Sequence, residues 1–506
     1  MRDTMFYTIP CVLLPCVLLS VNANEREEVF QSPLSEPLYQ ETSKEKIAII
    51  GAGAGGSSSA YYLQLYSNYS YDITVFEKND YIGGRTTTIN VHNDPRWPVE
   101  VGASVFVKEN FILATAAKEF GLTVQTHDSG KVCRKDGLAI EDSFGIWDGK
   151  DLVFTASSES TWKSTIKLLY QYGTAPVRAR LLSKKIIASF LAFYSENYFP
   201  FEDLTEIAQS SGLTNLTSET TFGYFTGHGV SDRFVNEIVQ AATRVNYAQN
   251  VKQLHALEGF VCLAADEALQ IEGGNWQIFE KMLQKSGAIL RLGTVVSEIV
   301  NSKESSGKWE IRIAASDKVE KFDEVIIAAP YQQTGIGGSA LGIKEVPYIT
   351  LYVTIFTSTK RLSPMYFGLK PGVPVPTMIL TTLPDDNQAG SHMPPVFNSI
   401  SIIRYIPEKN EYVYKIFSPS RTTPEFLQLI FEKGAEFTWV HEKTWNSYPR
   451  LNRIRDFSAL RVDDGGIWYL NGIEQFISTM ETSSLSGANV AALIVGAKNK
   501  TAISVP

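Results

Sequence analysis

Between Lys46 and Glu77 the chain sets out a short apolar strand, a turn of four glycines in six residues, a helix of small and apolar residues, a second strand and an acid. The turn is Gly51-Ala52-Gly53-Ala54-Gly55-Gly56, and the strands are Lys46 to Ile50 and Asp72 to Phe76. This order constrains the fold because each glycine answers a separate steric demand. Gly51 permits the tight turn out of the strand, Gly53 lets backbone amides approach a pyrophosphate, and Gly56 lets the helix lie close on the sheet. The helix start offers unpaired N–H groups and the positive end of its dipole to phosphate oxygens. Glu77, about twenty residues past the turn, can accept hydrogen bonds from both hydroxyls of an adenosine ribose. The stretch reads as a dinucleotide-binding unit with Gly51, Ala52, Gly53, Ala54, Gly55, Gly56, Glu77 and the adjoining Lys78 as candidate contacts.

Gly83-Gly84-Arg85 follows soon after. Two glycines let the chain fold back over a cofactor, and an arginine can pair with a pyrophosphate oxygen or cap a flavin. Nicotinamide dehydrogenases usually lack this addition. The stretch resembles the FAD-binding part of the large oxidase group that includes amine oxidases, protoporphyrinogen oxidase and the carotenoid desaturases, and FAD is the cofactor it implies. In that oxidase pattern Val296 contacts adenine through its backbone. Val99 to Val107 alternates small and apolar residues, and Gly102, Ala103 and Ser104 would leave room for a flat ring system. Near the far end, Gly466 to Gly472 leads through Met480-Glu481-Thr482 into a helix, Ser484 to Val495, rich in small residues. A helix start there can present N–H groups to the pyrophosphate or the flavin, which adds Glu481 and Thr482 to the cofactor-binding set. Both ends of the chain are thus expected to hold the cofactor.

With 506 residues the chain exceeds one core, so a second domain is expected as insertions in the first. The fold class is α/β: an FAD-binding Rossmann-like domain of the amine-oxidase or glutathione-reductase type with an inserted α+β substrate domain. Its FAD-binding parts are 45–150, 270–335 and 450–506. The substrate domain is helical over 151–269 and a mixed sheet over 336–449. Residues 1–23 read as a signal peptide, with an apolar run Met5 to Val21 and small residues ahead of the cleavage point, and a signal anchor is the alternative. Residues 24–44 are a polar, acidic, flexible leader. A net charge of −8 argues against nucleic acid as a partner. Cys133 and Cys262, the two cysteines beyond the signal, form either one disulfide or two free thiols. Sequons stand at Asn68, Asn215 and Asn499. Thr161 to Tyr172 and Pro176 to Tyr198 are helical by spacing, with Lys163, Lys167, Arg178, Arg180, Lys184 and Lys185 interleaved. They present either a solvated charged face over a core stripe or a basic surface for membrane or lipid.

The usual catalytic sets are missing. Six scattered histidines (His92, His127, His228, His255, His392, His441) show no metal-ligand spacing, so no metal is expected, and no nucleophile elbow or general base can be named. A flavin suits such a site, because hydride transfer needs orientation and a shaped pocket more than an acid–base pair. With no second redox centre in the sequence, dioxygen is the expected electron acceptor and hydrogen peroxide the product.

Four stretches carry a closer resemblance, to the prenylcysteine oxidase (prenylcysteine lyase) family. They are IAIIGAGAGGSSSAYYL, VEVGASVFV, Leu257-Glu258-Gly259-Phe260 leading to Ile271-Glu272-Gly273-Gly274-Asn275, and Tyr469-Leu470-Asn471-Gly472-Ile473-Glu474. The resemblance implies oxidative cleavage of the thioether in S-farnesyl or S-geranylgeranyl cysteine. Hydride would leave the allylic carbon next to sulfur, and the products would be cysteine, a prenyl aldehyde and hydrogen peroxide. It implies a lysosome- or vacuole-like lumen, or secretion, as the location. An apolar tunnel for the isoprenoid and a polar clamp for the cysteine zwitterion are then required; Arg244, His255 and Glu258 are candidates for the clamp. The alternatives are a related flavin oxidase of amines or isoprenoid hydrocarbons, and a catalytically silent lipid-associated FAD protein.

Overall fold

The computed structural model describes residues 44–126, 143–157, 161–264, 268–302, 308–316, 318–337, 341–383, 394–463 and 465–499. The signal region, the leader up to Ser43, and Cys133 lie outside the described residues.

The nucleotide-binding unit is a five-stranded parallel sheet of β1 (Glu45–Ile50), β2 (Tyr71–Phe76), β3 (Ile289–Arg291), β4 (Glu324–Ile327) and β5 (Ile467–Tyr469). Their spatial order is β5-β4-β1-β2-β3. Both faces are covered, so the strands read as continuous apolar runs rather than as alternating ones. Ile47 and Ile49 face a layer of helices, while Ala48 and Ile50 face a three-stranded antiparallel meander, Val296–Asn301, Trp309–Ile313 and Val319–Phe322.

Three helices form the other layer: Ala54–Ser67, Trp276–Ser286 and Met480–Asn499. The first and last of these pack side by side at close range because small residues line both. Ser58 Oγ donates to the Ser484 carbonyl at 2.7 Å, and a methyl on Gly487 would stand 2.3 Å from the Gly55 carbonyl oxygen.

The spacing of residues 292–300 suggests one strand. The structure breaks it: β3 has already ended at Arg291, a turn at Gly293, whose N–H donates to the Asn79 carbonyl at 2.8 Å, takes up the first residues, and the meander strand begins only at Val296. Phe322 to Ala329 likewise divides between the meander and β4. Val99 to Val107, whose alternation of small and apolar residues suits a strand, keeps pairing only over Pro98–Glu100 and at a bridge from Phe106 to Leu269.

The second sheet has seven strands, in the order Val440–Pro449, Tyr348–Ser358, Glu411–Ser418, Ser399–Ile406, Met378–Thr381, Ser143–Trp147, Leu152–Ser157. Ser143–Trp147 pairs parallel with Met378–Thr381, so this sheet takes in residues ahead of the expected boundary at 150. One face packs Tyr414, Ile416, Ile400 and Phe356 against Trp147 and Phe397. The opposite face sets Val353, Ile355 and Val413 on Val91, Val99 and Val101, which lays this sheet over the chain leading to Gly102. Residues 161–263 are helical and join the core of the nucleotide-binding unit.

Candidate cofactor and substrate site

The glycine turn is built as its spacing requires. Gly51 has φ +114°, its N–H donates to the Phe76 carbonyl at 2.8 Å, and a methyl there would meet the Ala328 carbonyl oxygen at 2.7 Å. A methyl on Gly56 would stand 1.9 Å from the Gly51 carbonyl oxygen, so only glycine lets the helix begin this close to the strand. Around Gly53 the nearest atom to such a methyl is 3.9 Å away, and no side chain caps the helix that starts at Ala54. Its first N–H groups therefore face an open approach.

The second glycine pair closes over the first. Gly83 N–H donates to the Ala52 carbonyl at 2.9 Å, and Gly84, at φ +60°, lies against the Gly53 Cα. Glu77 is buried at the end of β2, where it accepts from Ala52 N–H at 2.8 Å and from the Asn79 N–H and side-chain amide at 2.9 and 2.6 Å. The acid is thus fixed beside the turn. Thr294 N–H donates to the Glu77 carbonyl at 2.8 Å, which brings the segment entering Val296 alongside. Lys78 turns away, donating to the Gln333 carbonyl at 2.8 Å.

Arg85 pairs within the protein. Its guanidinium forms a two-pronged ion pair with Glu474 and donates to the Ser447 carbonyl at 2.7 Å. Glu474 is 1% exposed and also accepts from Tyr348 Oη at 2.9 Å and Asn471 Nδ2 at 2.6 Å. It follows directly after β5, at the carboxyl end of a parallel sheet, where open α/β sheets bind ligands. In the sequence Glu474 stands within a motif that assigns it no role. The signal available was an acid a few residues beyond an apolar strand.

Gly102, Ala103 and Ser104 lie beneath the seven-stranded sheet. The space above Gly102 is taken up by backbone and by a tryptophan, since a methyl there would stand 2.0 Å from the Arg85 carbonyl oxygen and 3.0 Å from the Trp445 indole. Lys415 reaches down from the sheet to the Glu100 carbonyl and to Ser104 Oγ, both at 3.3 Å. Burial lowers this amine to about 8 and raises the Glu100 carboxyl to about 7. Neither residue was singled out by sequence, because a lone lysine in an alternating strand reads as solvent-facing.

Glu481 and Thr482 stand at the start of the last helix as expected, and their side chains have protein partners. Glu481 accepts from the Ile112 and Leu113 N–H groups at 2.9 and 3.0 Å and from Tyr194 Oη at 2.6 Å, so it caps the helix Phe111–Glu119. Burial raises its carboxyl to about 7. Thr482 donates to the Ile477 carbonyl at 2.7 Å, and its N–H donates to Thr479 Oγ1 at 3.1 Å.

The three clamp candidates separate. His255 is fully buried and caps Ala256–Leu263: Nδ1 accepts from Glu258 N–H at 3.3 Å, and Nε2 donates to the Gln475 carbonyl at 3.1 Å. Burial lowers it to about 4, leaving a neutral ring with both nitrogens used. Glu258 is also fully buried, with Oε2 accepting from Ser478 N–H at 3.3 Å, and burial raises it to about 8. Arg244 alone of the three carries a charge that no described acid meets. Cys262 is a free, buried thiol, and among the described residues no cluster of His, Cys, Asp or Glu could hold a metal ion.

The residues present fit a dinucleotide. The helix start is open, two glycine turns lie together, and three buried polar atoms near them lack partners: Glu100 Oε2, Ser447 Oγ and Asn471 Oδ1. Such atoms normally find a partner, and a ligand can supply one.

Comparison with known proteins agrees with this geometry. A model of an NAD(P)-binding Rossmann-like domain matches residues 49–117. The chain is 29% identical over 477 residues to a farnesylcysteine lyase of Arabidopsis thaliana, covering 90% of this chain and 89% of that one. It is 28% identical over 478 residues to prenylcysteine oxidase 1 of Rattus norvegicus, covering 89% and 88%. In fold it is similar to cyclohexylamine oxidase from Brevibacterium oxydans, with a TM-score of 0.56, 15% identity, and coverage of 90% of this chain and 99% of that one. The prenylcysteine lyase model matches residues 155–504, more than half of the sequence, and the chain belongs to that family.

Proposed function

We propose that this protein is an FAD-dependent oxidase that cleaves the thioether of an S-prenyl-L-cysteine, consuming dioxygen and water and releasing cysteine, a prenyl aldehyde and hydrogen peroxide. The observation that carries the proposal is the joining of a dinucleotide cradle from both ends of the chain with a family match over residues 155–504.

FAD, when bound, supplies a two-electron acceptor that takes a hydride and passes the electrons to dioxygen. The chain's own part is to hold and orient. The N–H groups at the start of Ala54–Ser67 and the bare backbone at Gly53 and Gly84 would hold the pyrophosphate, and Glu77 would hold the ribose. The substrate carbon that loses hydride is allylic and bonded to sulfur, so the alkene and the sulfur lone pair stabilise the resulting cation. Water then adds to it, and the hemithioacetal collapses. Such a reaction asks the pocket for an apolar sleeve and an anchored polar end, and the helical insert and the seven-stranded sheet are suited to provide them.

The reading extends to a lipid surface within the secretory route. The helices Thr161–Tyr172 and Ala175–Leu191 expose Ile166, Leu169, Tyr170, Val177 and Leu181. They carry six cations, with no acid between Glu159 and Glu196 in a chain of net charge −8. Apolar side chains ringed by lysine and arginine favour an anionic membrane face, which the prenyl substrate also favours.

The test is anaerobic mixing of the FAD-loaded protein with S-farnesylcysteine. Bleaching of the flavin absorbance, followed in air by stoichiometric peroxide and farnesal, is expected. Bleaching by amines and not by the thioether would overturn the reading.

A further inference from the structure

Arg244 sits in the helix Gln240–Tyr247, which packs on the strand Met378–Thr381, at the join between the helical insert and the seven-stranded sheet. It is 8% exposed. Its Nε donates to Thr381 Oγ1 at 2.9 Å, one terminal nitrogen to Asn250 Oδ1 at 3.2 Å and the other to the Phe397 carbonyl at 3.2 Å. All three acceptors are neutral. A guanidinium has five N–H donors, so two remain unspent. Burial lowers its pKa to about 10, still far above neutrality, so the charge persists. A buried cation without an anion is strongly unfavourable, and proteins seldom keep one unless a ligand completes the pair.

A second unspent donor belongs to the residue after Phe397, whose carbonyl Arg244 bonds. Asn398 is 4% exposed, and its Nδ2 has no partner. The Thr381 hydroxyl links the two residues, accepting from Arg244 and lying 2.8 Å from the Asn398 carbonyl and 3.0 Å from that of Phe397. A guanidinium edge and an amide N–H together match an acceptor with two oxygens and a negative charge, such as a carboxylate.

The position suits an amino-acid head group. Tyr247, one turn further along the same helix, donates to the Ser478 carbonyl at 3.1 Å, in the segment that enters the last helix. Arg244 thus lies about 4.5 Å along the helix axis from a residue that touches the segment leading into the last helix, where the oxidase reading puts the cofactor. In a prenylcysteine the α-carboxylate is only a few bonds from the carbon that loses hydride, so its anchor must lie this close.

We propose that Arg244 and Asn398 form a carboxylate-binding subsite that holds the α-carboxylate of the cysteine moiety. This rests on the thioether-oxidase reading above and names the group that gives the site its preference for an amino acid.

The experiment compares S-farnesylcysteine with S-farnesylcysteamine, which lacks the carboxylate, in the FAD-loaded protein. Wild type is expected to prefer the acid by on the order of 10- to 100-fold in kcat/KM, the scale of one charge-assisted contact. In Arg244→Gln that ratio falls toward one, with the change in KM, and Arg244→Lys restores part of it. Should Arg244→Gln fail to fold, Asn398→Ala reads the same ratio. A ratio unchanged in the folded variant, or a wild type that turns over both thioethers equally well, overturns the subsite and leaves the oxidase reading standing. Oxidation of neither thioether by wild type overturns both.

Discussion

Arg85 and Glu474, 389 residues apart in sequence, meet in a two-pronged ion pair that ties the second glycine turn to the end of β5. The carboxylate is 1% exposed and the guanidinium side chain 33%, so the pair is strongly shielded on one side only. The same carboxylate takes Tyr348 and Asn471, so one acid gathers three elements at the mouth of the sheet: the second glycine turn, the strand Tyr348–Ser358 and the turn 471–475 after β5.

Glu474→Gln should therefore cost about 2 kcal/mol in the apo-protein, below the ~3–5 kcal/mol of a fully buried broken pair because Arg85 keeps some water. Urea unfolding measures it. FAD should also dissociate faster, which the appearance of free flavin fluorescence follows.

Gly53 and Gly56 should part company. Gly56→Ala places a methyl 1.9 Å from a carbonyl oxygen and should destabilise the apo-protein by about 1–3 kcal/mol or more. Gly53→Ala has free space and an ordinary φ of −82°, so the apo-protein should keep its thermal midpoint within a few degrees. Its methyl would occupy the phosphate approach, and FAD titration should show affinity weakened by at least tenfold. Equal FAD affinity in Gly53→Ala and wild type would place the pyrophosphate elsewhere.

His255 and Glu258 oppose each other in pH dependence. Glu258, raised to about 8, holds its proton in the folded state where the unfolded chain has lost it, so its contribution falls as pH rises from about 4.5 to 8. His255, lowered to about 4, stays neutral while the unfolded chain protonates, so its contribution is lost as pH falls from about 6.5 to 4. The two slopes nearly cancel below pH 6.5 and leave a decline above it. The stability of wild type minus that of Glu258→Gln should fall by on the order of 1 kcal/mol per pH unit between pH 5 and 8. A difference flat across that range would mean that Glu258 ionises normally.

Tyr194→Phe removes the 2.6 Å bond to the buried Glu481 and should cost about 1–2 kcal/mol in urea unfolding. FAD affinity should stay unchanged, because the Glu481 side chain is turned toward the helix at 111–119. A large loss of FAD would return Glu481 to the cofactor.

What could be read in the sequence was local. Strand, glycine turn, helix and Glu77 follow one another within about thirty residues, and each carries its own steric reason, so the turn is built as its spacing demanded. The Arg85–Glu474 pair was not legible, because nothing near Arg85 indicates which of 54 acids it meets. The same holds for Glu481, whose helix-start position suggested a phosphate contact while its side chain serves another helix. The run 292–300 misled for a different reason: the β-branched residues Thr294, Val295 and Val296 carry strand propensity right up to the turn at Gly293, and pairing partners, not propensity, decide where a strand begins and ends. Lys415 shows the limit of alternation, which cannot tell a solvated face from one buried against another segment, here Glu100 to Ser104.

The crossing of the first and last helices at Gly55 and Gly487 has a consequence for biogenesis. A ribosome making this chain releases the opening strand and its glycine turn hundreds of residues before the segment that will shield them. Until the final forty or so residues emerge, β5 is missing and one flank of the first helix is bare. Loading must therefore wait for the last helix to emerge, so a premature stop ahead of Met480 should yield a product fit only for degradation.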